Sequence, residues 1–278
     1  MLDDVKNTVN QFSGVQPLTI RGWQKPRILH TRETYIIEHN NHKHYDTIRR
    51  TAILIDGGFY RSVAYSIWGD ISPQQRADEL YDYCMKHLNN RHEYRDLYRI
   101  FYYDCLPSSK TVYNPLSKAQ VKLSQTPLFA WMNEFIEILK SKRKFAVRLG
   151  ELSEDRIEYH LKYAPFKKLC TGTMQVSDLC DNDLDLSIEQ KGVDMKIGID
   201  IASLAYKKQV DQIIFISGDS DFVPAAKLAR REGIDFILDP MGRHIKDSLN
   251  EHIDGIQSRV SQMSPSDTSR RFEPSADE

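Results

Sequence analysis

From Thr51 onward the chain alternates short β-branched runs with longer stretches of helical period. Thr51-Ala-Ile-Leu-Ile55 is an apolar run ended by Asp56-Gly57-Gly58, the pattern of a buried strand that stops at a turn. Between Pro73 and Leu88, residues Ala77, Leu80, Tyr81, Cys84 and Leu88 recur at helical spacing and predict a helix. Leu97–Tyr103 predicts a second strand. Pro127–Lys140 predicts an amphipathic helix that buries Leu128, Trp131, Phe135, Ile138 and Leu139, and Phe145–Leu152 predicts another strand. The closing section predicts a helix over Asp194–Lys208, a strand over Gln212–Ser217, a helix over Phe222–Glu232 stopped by Gly233, and a strand over Ile234–Asp239. Strands alternating with helices at this spacing imply an α/β fold, a parallel sheet with helices on both faces.

Elsewhere the texture is less regular. Residues 1–50 are polar and read as an N-terminal appendage. The stretch 106–125 reads as an insertion or loop, and 154–190 as a loop with short strands, aromatic and basic over Tyr159–Lys168 and acidic over Asp178–Asp185. Residues 261–278, rich in Ser, Pro and charge from Ser264, read as a disordered tail. This leaves one domain, 51–260, with insertions. The 40% hydrophobic content of the 278 residues rules out a wholly disordered chain. With 38 basic against 39 acidic residues the net charge is −1, so any nucleic-acid partner needs a local basic surface. Cys84, Cys105, Cys170 and Cys180 form no C-x-x-C pair, which predicts free thiols in an intracellular protein. No apolar run approaches the roughly 18 residues of a membrane helix, and the first residues lack a signal-peptide pattern, so a cytoplasmic protein without membrane contact is expected.

Ligands of open parallel sheets collect beyond the carboxyl ends of the strands. Asp56 follows the first strand, and Ser217-Gly218-Asp219-Ser220-Asp221 follows Ile213–Ile216. Each also has an ordinary reading: Asp-Gly-Gly as a turn, and Asp219, Ser220 or Asp221 as a helix cap. On the helix after Gly192, Asp194 and Asp200 lie roughly 60° to either side of Ile197, at the borders of the apolar stripe formed with Ile201, Leu204 and Ala205. They are about 9 Å apart along the axis, so one ion cannot take both equally. Asp194, at the helix N-terminus, shares the end of the sheet with Asp56 and Asp219. Asp200 is the weaker candidate, either supporting the ligands from behind or a core Asp satisfied by backbone donors. Carboxylates brought together repel unless a cation is present. An all-oxygen set without recurrent His or Cys suits Mg²⁺ or Mn²⁺.

Ile55-Asp56-Gly57-Gly58, Lys191-Gly192-Val193-Asp194 leading through Asp200, and Ser217-Gly218-Asp219-Ser220-Asp221-Phe222 with Pro224 together resemble the NYN domain family of PIN-like nucleases, in its LabA-like branch. The resemblance spans about Thr51 to Ile256. It implies a Rossmann-like PIN-type sheet and a metal-dependent ribonuclease that prefers single strands. It maps Asp56, Asp194, Asp219 and Asp221 onto the acidic metal site, with Asp200 alongside. Many members carry Asn where this chain has Phe59. Residues 1–50 and 154–190 fall outside what the family explains.

A phosphate track needs cations. Lys191, beside the acidic helix, is best placed, and Lys162, Lys167 and Lys168 interleave with Tyr159, Tyr163 and Phe166 in a composition suited to base stacking or to packing. Lys140–Lys144 reads as a solvated helix end or a phosphate contact. His39, His42 and His44 read as an exposed loop. Ser217 and Ser220 lack a partner His, so Ser217 is assigned to support of the acidic site and not to nucleophilic attack. The expected function is an endoribonuclease with Mg²⁺ or Mn²⁺ and a single-stranded RNA substrate. An RNA-binding or regulatory protein of the same fold, with partners reached through 1–50 or 154–190, is the alternative. A phosphohydrolase of small phosphoesters is a third reading, and an oligomer is compatible with all three.

Overall fold

A computed structural model describes residues 48–89 and 93–263. The expected appendage before residue 48, with His39, His42 and His44, and the expected tail beyond 263 lie outside the described residues. In chain order the strands are β1 Ile48–Asp56, β2 Tyr94–Asp104, β3 Thr111–Tyr113, β4 Gln120–Lys122, β5 Phe145–Leu149, β6 Glu151–Leu161, β7 Leu184–Lys191, β8 Gln212–Ile216, β9 Asp235–Asp239 and β10 Gly255–Ile256. The helices are α1 Gly57–Trp68, α2 Pro73–Leu88, α3 Pro127–Ser141, α4 Tyr163–Cys170, α5 Val193–Tyr206, α6 Val223–Arg231 and α7 Asp247–Asn250.

Six strands form one parallel sheet in the order β10-β9-β8-β1-β2-β5. The chain winds outward from β1 through β2 to β5, then returns to β8 on the other flank and winds outward again. The direction of winding therefore reverses between β1 and β8, where open α/β sheets form their ligand crevice.

Both faces of the sheet are covered, so β1 and β8 are apolar throughout their central residues and do not alternate with polar ones. Ile53, Ile55 and Ile214 pack with Tyr60 of α1, Leu80 of α2 and Phe135 of α3. Ala52, Leu54 and Phe215 point the other way, against Ile197 and Ile201 of α5 and Ala226 and Ala229 of α6. Helix α2 starts where the sequence places it because Ser72 and Gln75 form a reciprocal capping box and Pro73 occupies the first turn.

Four expectations change. Helix α1 follows β1 directly, with Asp56 as its N-cap, where only a turn was expected. Gly57 belongs there because a Cβ would stand 2.5 Å from the Tyr103 carbonyl oxygen and 2.7 Å from the Asp104 carboxylate. Leu128 of α3 is 62% exposed; Met132 and Ile136 are buried instead, with Phe135 and Leu139. The strand expected to run to Leu152 breaks at Gly150, whose missing side chain lets the Lys191 carbonyl approach where a Cβ would be 2.7 Å away. Finally, 154–190 is mostly ordered secondary structure: β6 and β7 form an antiparallel arm carrying α4 between them, while 106–125 contains the small β3–β4 hairpin.

Phe215 is fully buried at the centre of this core, edge-on to Phe222 with ring centroids 4.8 Å apart and tilted against Phe236 at 6.1 Å. Phe215→Ala is expected to cost about 3–5 kcal/mol in urea unfolding. A loss below about 1 kcal/mol would show that this layer repacks freely.

Candidate functional site

Parallel pairing of β1 with β8 sets Ile55 against Ile216, so the residues that leave the two strands, Asp56 and Ser217, meet at the crevice. The Ser217 hydroxyl donates to Asp56 Oδ2 at 3.3 Å, and its oxygen accepts from the Asp219 backbone N–H at 3.2 Å. Ser217 is fully buried and thus fixes the carboxylate loop against the first strand. Asp56 Oδ1 accepts from the Phe59 N–H at 3.1 Å, and Asp219 Oδ1 from the Asp221 N–H at 3.0 Å. Both acids cap the turns they precede, which accounts for their ordinary structural role without removing their charge. Asp194 stands in the first turn of α5, after Gly192 in a left-handed conformation at φ 78°. In this topology that turn lies at the same edge of the sheet.

These carboxylates sense one another. Burial lifts the Asp56 carboxyl above its ordinary value, the charges of Asp194 and Asp104 add to the rise, and hydrogen bonds from Phe59 and Ser217 oppose it. Asp194 is also lifted, first by desolvation and then by Asp219 and Asp221. Among the described residues, none of Asp56, Asp194, Asp219 and Asp221 has a Lys, Arg or His ion-pair partner. The crevice thus gathers four carboxylates that no cation pairs with directly, Lys246 standing next to them on Ser220.

Two further acids behave differently. Asp200, the weaker ligand candidate, accepts from the Tyr103 hydroxyl at 2.9 Å and pairs with Arg148 at 3.1 Å. Its charge is already balanced, as befits a structural ion pair on the flank of α5. Asp104, which ends β2, escaped the sequence reading although it follows a strand as Asp56 does. It is held by the Arg61 fork at 2.9 and 3.0 Å, the Tyr102 hydroxyl at 2.8 Å and the Cys105 N–H at 2.8 Å. It adds negative potential beside Asp56, but Arg61 neutralises it.

The cations divide in the same way. Lys191 ends β7 and lines a cavity of about 570 Å³ with Lys110, Ser108 and Ser109 of the loop after β2. Lys110 was not anticipated. Nor was Lys246, which donates to Ser220 Oγ at 3.1 Å, beside Asp219 and Asp221. Lys162 is taken by the Asn182 carbonyl at 2.7 Å and Asp185 at 3.5 Å, while Lys167 and Lys168 sit exposed in the last turn of α4. The arm's tip also carries Asp178, Asp181, Asp183 and Asp185, so it is not a basic surface. Lys140 and Lys142 pair with Glu137 and Asp78, and Lys144 reaches the Leu97 carbonyl. Their segment precedes β5, at the sheet edge opposite the crevice.

Phe59 packs over Gly218, where a Cβ would lie 2.8 Å from its ring. The crevice therefore has an apolar wall at this place. Among the described residues no three Asp, Glu, His or Cys side chains close round a point as a ready-made ligand shell. Mg²⁺ keeps several waters and needs only one or two carboxylates directly. The donor chemistry, hard oxygens without countercharge, therefore fits such an ion. All four cysteines are free, Cys84 and Cys105 buried and Cys170 and Cys180 exposed, so none offers a disulfide framework. No helix among the described residues is long and apolar enough to cross a membrane.

The fold and the rim define an α/β protein with an acidic site at the switch point of a parallel sheet. The NYN domain family matches residues 50–254, and the chain belongs to that family, whose members are PIN-like nucleases. Its function is accordingly of the nuclease type. A solved structure of a protein of unknown function from Vibrio parahaemolyticus RIMD 2210633 is similar at 15% identity with a TM-score of 0.40, covering 80% of this chain and 96% of that one. No curated protein matches the chain.

A carboxyl lifted from its ordinary 3.8 stabilises the fold while protonated, and that contribution is lost as pH rises through the lifted value. Asp56→Asn keeps the helix cap and removes the charge. In EDTA at neutral pH it is expected to melt about 2–4 °C above the wild type, a gain of roughly 1 kcal/mol for a domain of this size. The gain should shrink in acid, where Asp56 is protonated. An equal or lower melting temperature at neutral pH would show that the Asp56 charge is not under repulsion.

Proposed function

We propose that the protein is a metal-dependent endoribonuclease that hydrolyses single-stranded RNA, with Mg²⁺ or Mn²⁺ held by Asp56, Asp194, Asp219 and Asp221, directly or through water. The observation that carries this reading is the meeting of carboxylates at the β1/β8 crevice, where burial and neighbouring acids lift Asp56 and Asp194 and no Lys, Arg or His pairs directly with either of them or with Asp219 or Asp221. A divalent ion supplies two things to such a site: it activates a water for attack on a phosphodiester and offsets the charge that develops on the leaving oxygen. In this reading the catalytic domain runs from 51 to 260.

The chain's own residues do the rest. Ser217 keeps Asp56 and the Asp219 turn in fixed relation through its hydroxyl. While Lys110 across from it is paired with Glu154 at 3.5 Å, Lys191, on the wall of the neighbouring cavity, holds a backbone phosphate on the β2/β5 side. Lys246 does so on the side of Asp219 and Asp221. Phe59 shields one side of the acids from bulk water. The arm, with Tyr163 at 77% and Phe166 at 51% exposure, is left for a protein partner.

Phe59 in the place of an amide, and two carboxylates already engaged as caps, favour the second reading, an RNA-binding or regulatory protein without cleavage. One assay separates the two. Unstructured RNA incubated with the protein is expected to be cut in Mg²⁺ or Mn²⁺ and spared in EDTA. Asp219→Asn is expected to lower the rate at least about 100-fold with no fall in melting temperature. Cleavage that survives EDTA or Asp219→Asn contradicts the proposal. Binding without cleavage in any divalent ion selects the regulatory reading, and turnover of mononucleotides alone selects a small-substrate phosphohydrolase.

A further inference from the structure

We propose that the groove between α1 and the first turns of α3 receives one unpaired base of the RNA; the proposal rests on the nuclease reading and names its substrate subsite. Gly58, Arg61, Ser62 and Tyr65 recur at helical spacing on one stripe of α1 and face Leu128 and Trp131 of α3 across a cavity of about 500 Å³. That volume lies in the range of about 300–1,000 Å³ usual for small-ligand pockets.

The walls are made for an aromatic guest. Tyr65 and Leu128 are 63% and 62% exposed, although each lies on a helix whose other large apolar residues supply the core. Large apolar side chains left open on both sides of a cavity mark a binding surface. Trp131 is fixed beneath them: it stacks on Phe135 with centroids 5.0 Å apart, and its indole N–H donates to the Ile71 carbonyl at 2.9 Å. Ser62 and Asp70 provide hydrogen-bonding groups for a base edge.

Charge argues for a base in this groove and against a phosphate. Arg61 is bound in a fork by Asp104, and Arg76 is paired with Glu79 at 2.6 Å, so neither guanidinium is an uncompensated cation. Held flat by Asp104, Arg61 instead offers a fixed plane for stacking. Position argues for the substrate of the acidic crevice. Helix α1 is capped by Asp56, and the groove begins at Gly58 in its first turn. A strand whose phosphate lies at the acids has a neighbouring nucleotide within reach of the groove. Beyond the ridge of Arg61 and Leu128, a second cavity of about 290 Å³ continues past Pro107 and Leu152 toward the Lys191 side. A base can enter only when it is unstacked, so the groove selects single-stranded RNA.

The test is the affinity of the full chain for a labelled unstructured RNA oligonucleotide, measured by fluorescence anisotropy in Mg²⁺ with Asp219→Asn as background so that the RNA stays intact. Adding Tyr65→Ala or Leu128→Ala is expected to weaken binding about tenfold, the scale of one base–aromatic contact. Tyr65→Phe, which keeps the ring, is expected to retain affinity. Tyr206→Ala, an equally open tyrosine at the far end of α5, serves as the control and is expected to leave binding unchanged. Unaltered affinity in both alanine variants overturns the pocket, and does so alone if the wild type still cuts RNA. Conversion of a dimer to a monomer by Leu128→Ala, with RNA affinity intact, also overturns it by giving the groove to a second copy of the chain. Absence of both binding and cleavage in the wild type overturns the nuclease reading together with the pocket.

Discussion

Carboxylates drawn into one crevice, partly buried and without a direct ion-pair partner, are the constraint around which this site is arranged. The order of the sheet creates it. Because β8 returns to lie beside β1, the residues after both strands are forced into one crevice, and α5 delivers Asp194 to the same edge. Asp56 and Asp194 are consequently harder to ionise than free aspartates, by burial first, and then by Asp194 and Asp104 in the case of Asp56 and by Asp219 and Asp221 in the case of Asp194. A fold that only needed caps at these turns has Asn and Ser available for the purpose. Keeping aspartate there costs stability, a cost that the cation of the proposed function would offset. The contrast with Asp104 and Asp200 makes the point within the same molecule: each of these acids has its own arginine.

Around that constraint, small residues and neutral donors set distances. Gly57 lets α1 start against β2 with Asp56 as its cap, and Gly218 lets the Phe59 ring lie across the crevice. Ser217 carries no charge yet touches both halves of the acidic set, so it transmits the position of β1 to the β8 turn. The three cavities along this side of the sheet differ in lining: apolar and aromatic beside α1, mixed in the middle, and polar with both charges beside Lys191, where Lys110 is paired with Glu154.

Where burial on both faces makes a strand uniformly apolar, the sequence was easy to read. Thr51–Ile55 and Gln212–Ile216 stood out, and the boundaries of α2 followed from its Ser72, Pro73 and Gln75 capping residues. The acids after those strands were legible for the same reason, since the rule that ligands gather at strand ends needs only strand positions. What stayed hidden depends on partners distant in the chain. Helix α1 begins with two glycines, which by propensity break helices, and only the close approach of Tyr103 and Asp104 explains the first of them, Gly57. The arm was obscured because Leu184, Leu186 and Ile188 alternate with acids and serine, a period-two signal masked by the acidic composition around it. Asp104 and Asp200 look like Asp56 and Asp194 in one dimension. Only the fold reveals that Arg61 and Arg148 balance them.

Crystals grown with Mn²⁺ and measured at an anomalous-scattering wavelength test the central claim most directly, because they report the ion's position independently of activity. The account predicts an anomalous peak at the mouth of the β1/β8 crevice, contacted directly or through water by Asp56, Asp194 and the Asp219 turn, and lost in Asp56→Asn crystals. Well-ordered crystals with full Mn²⁺ peaks only elsewhere, and with these four carboxylates apart, would contradict it.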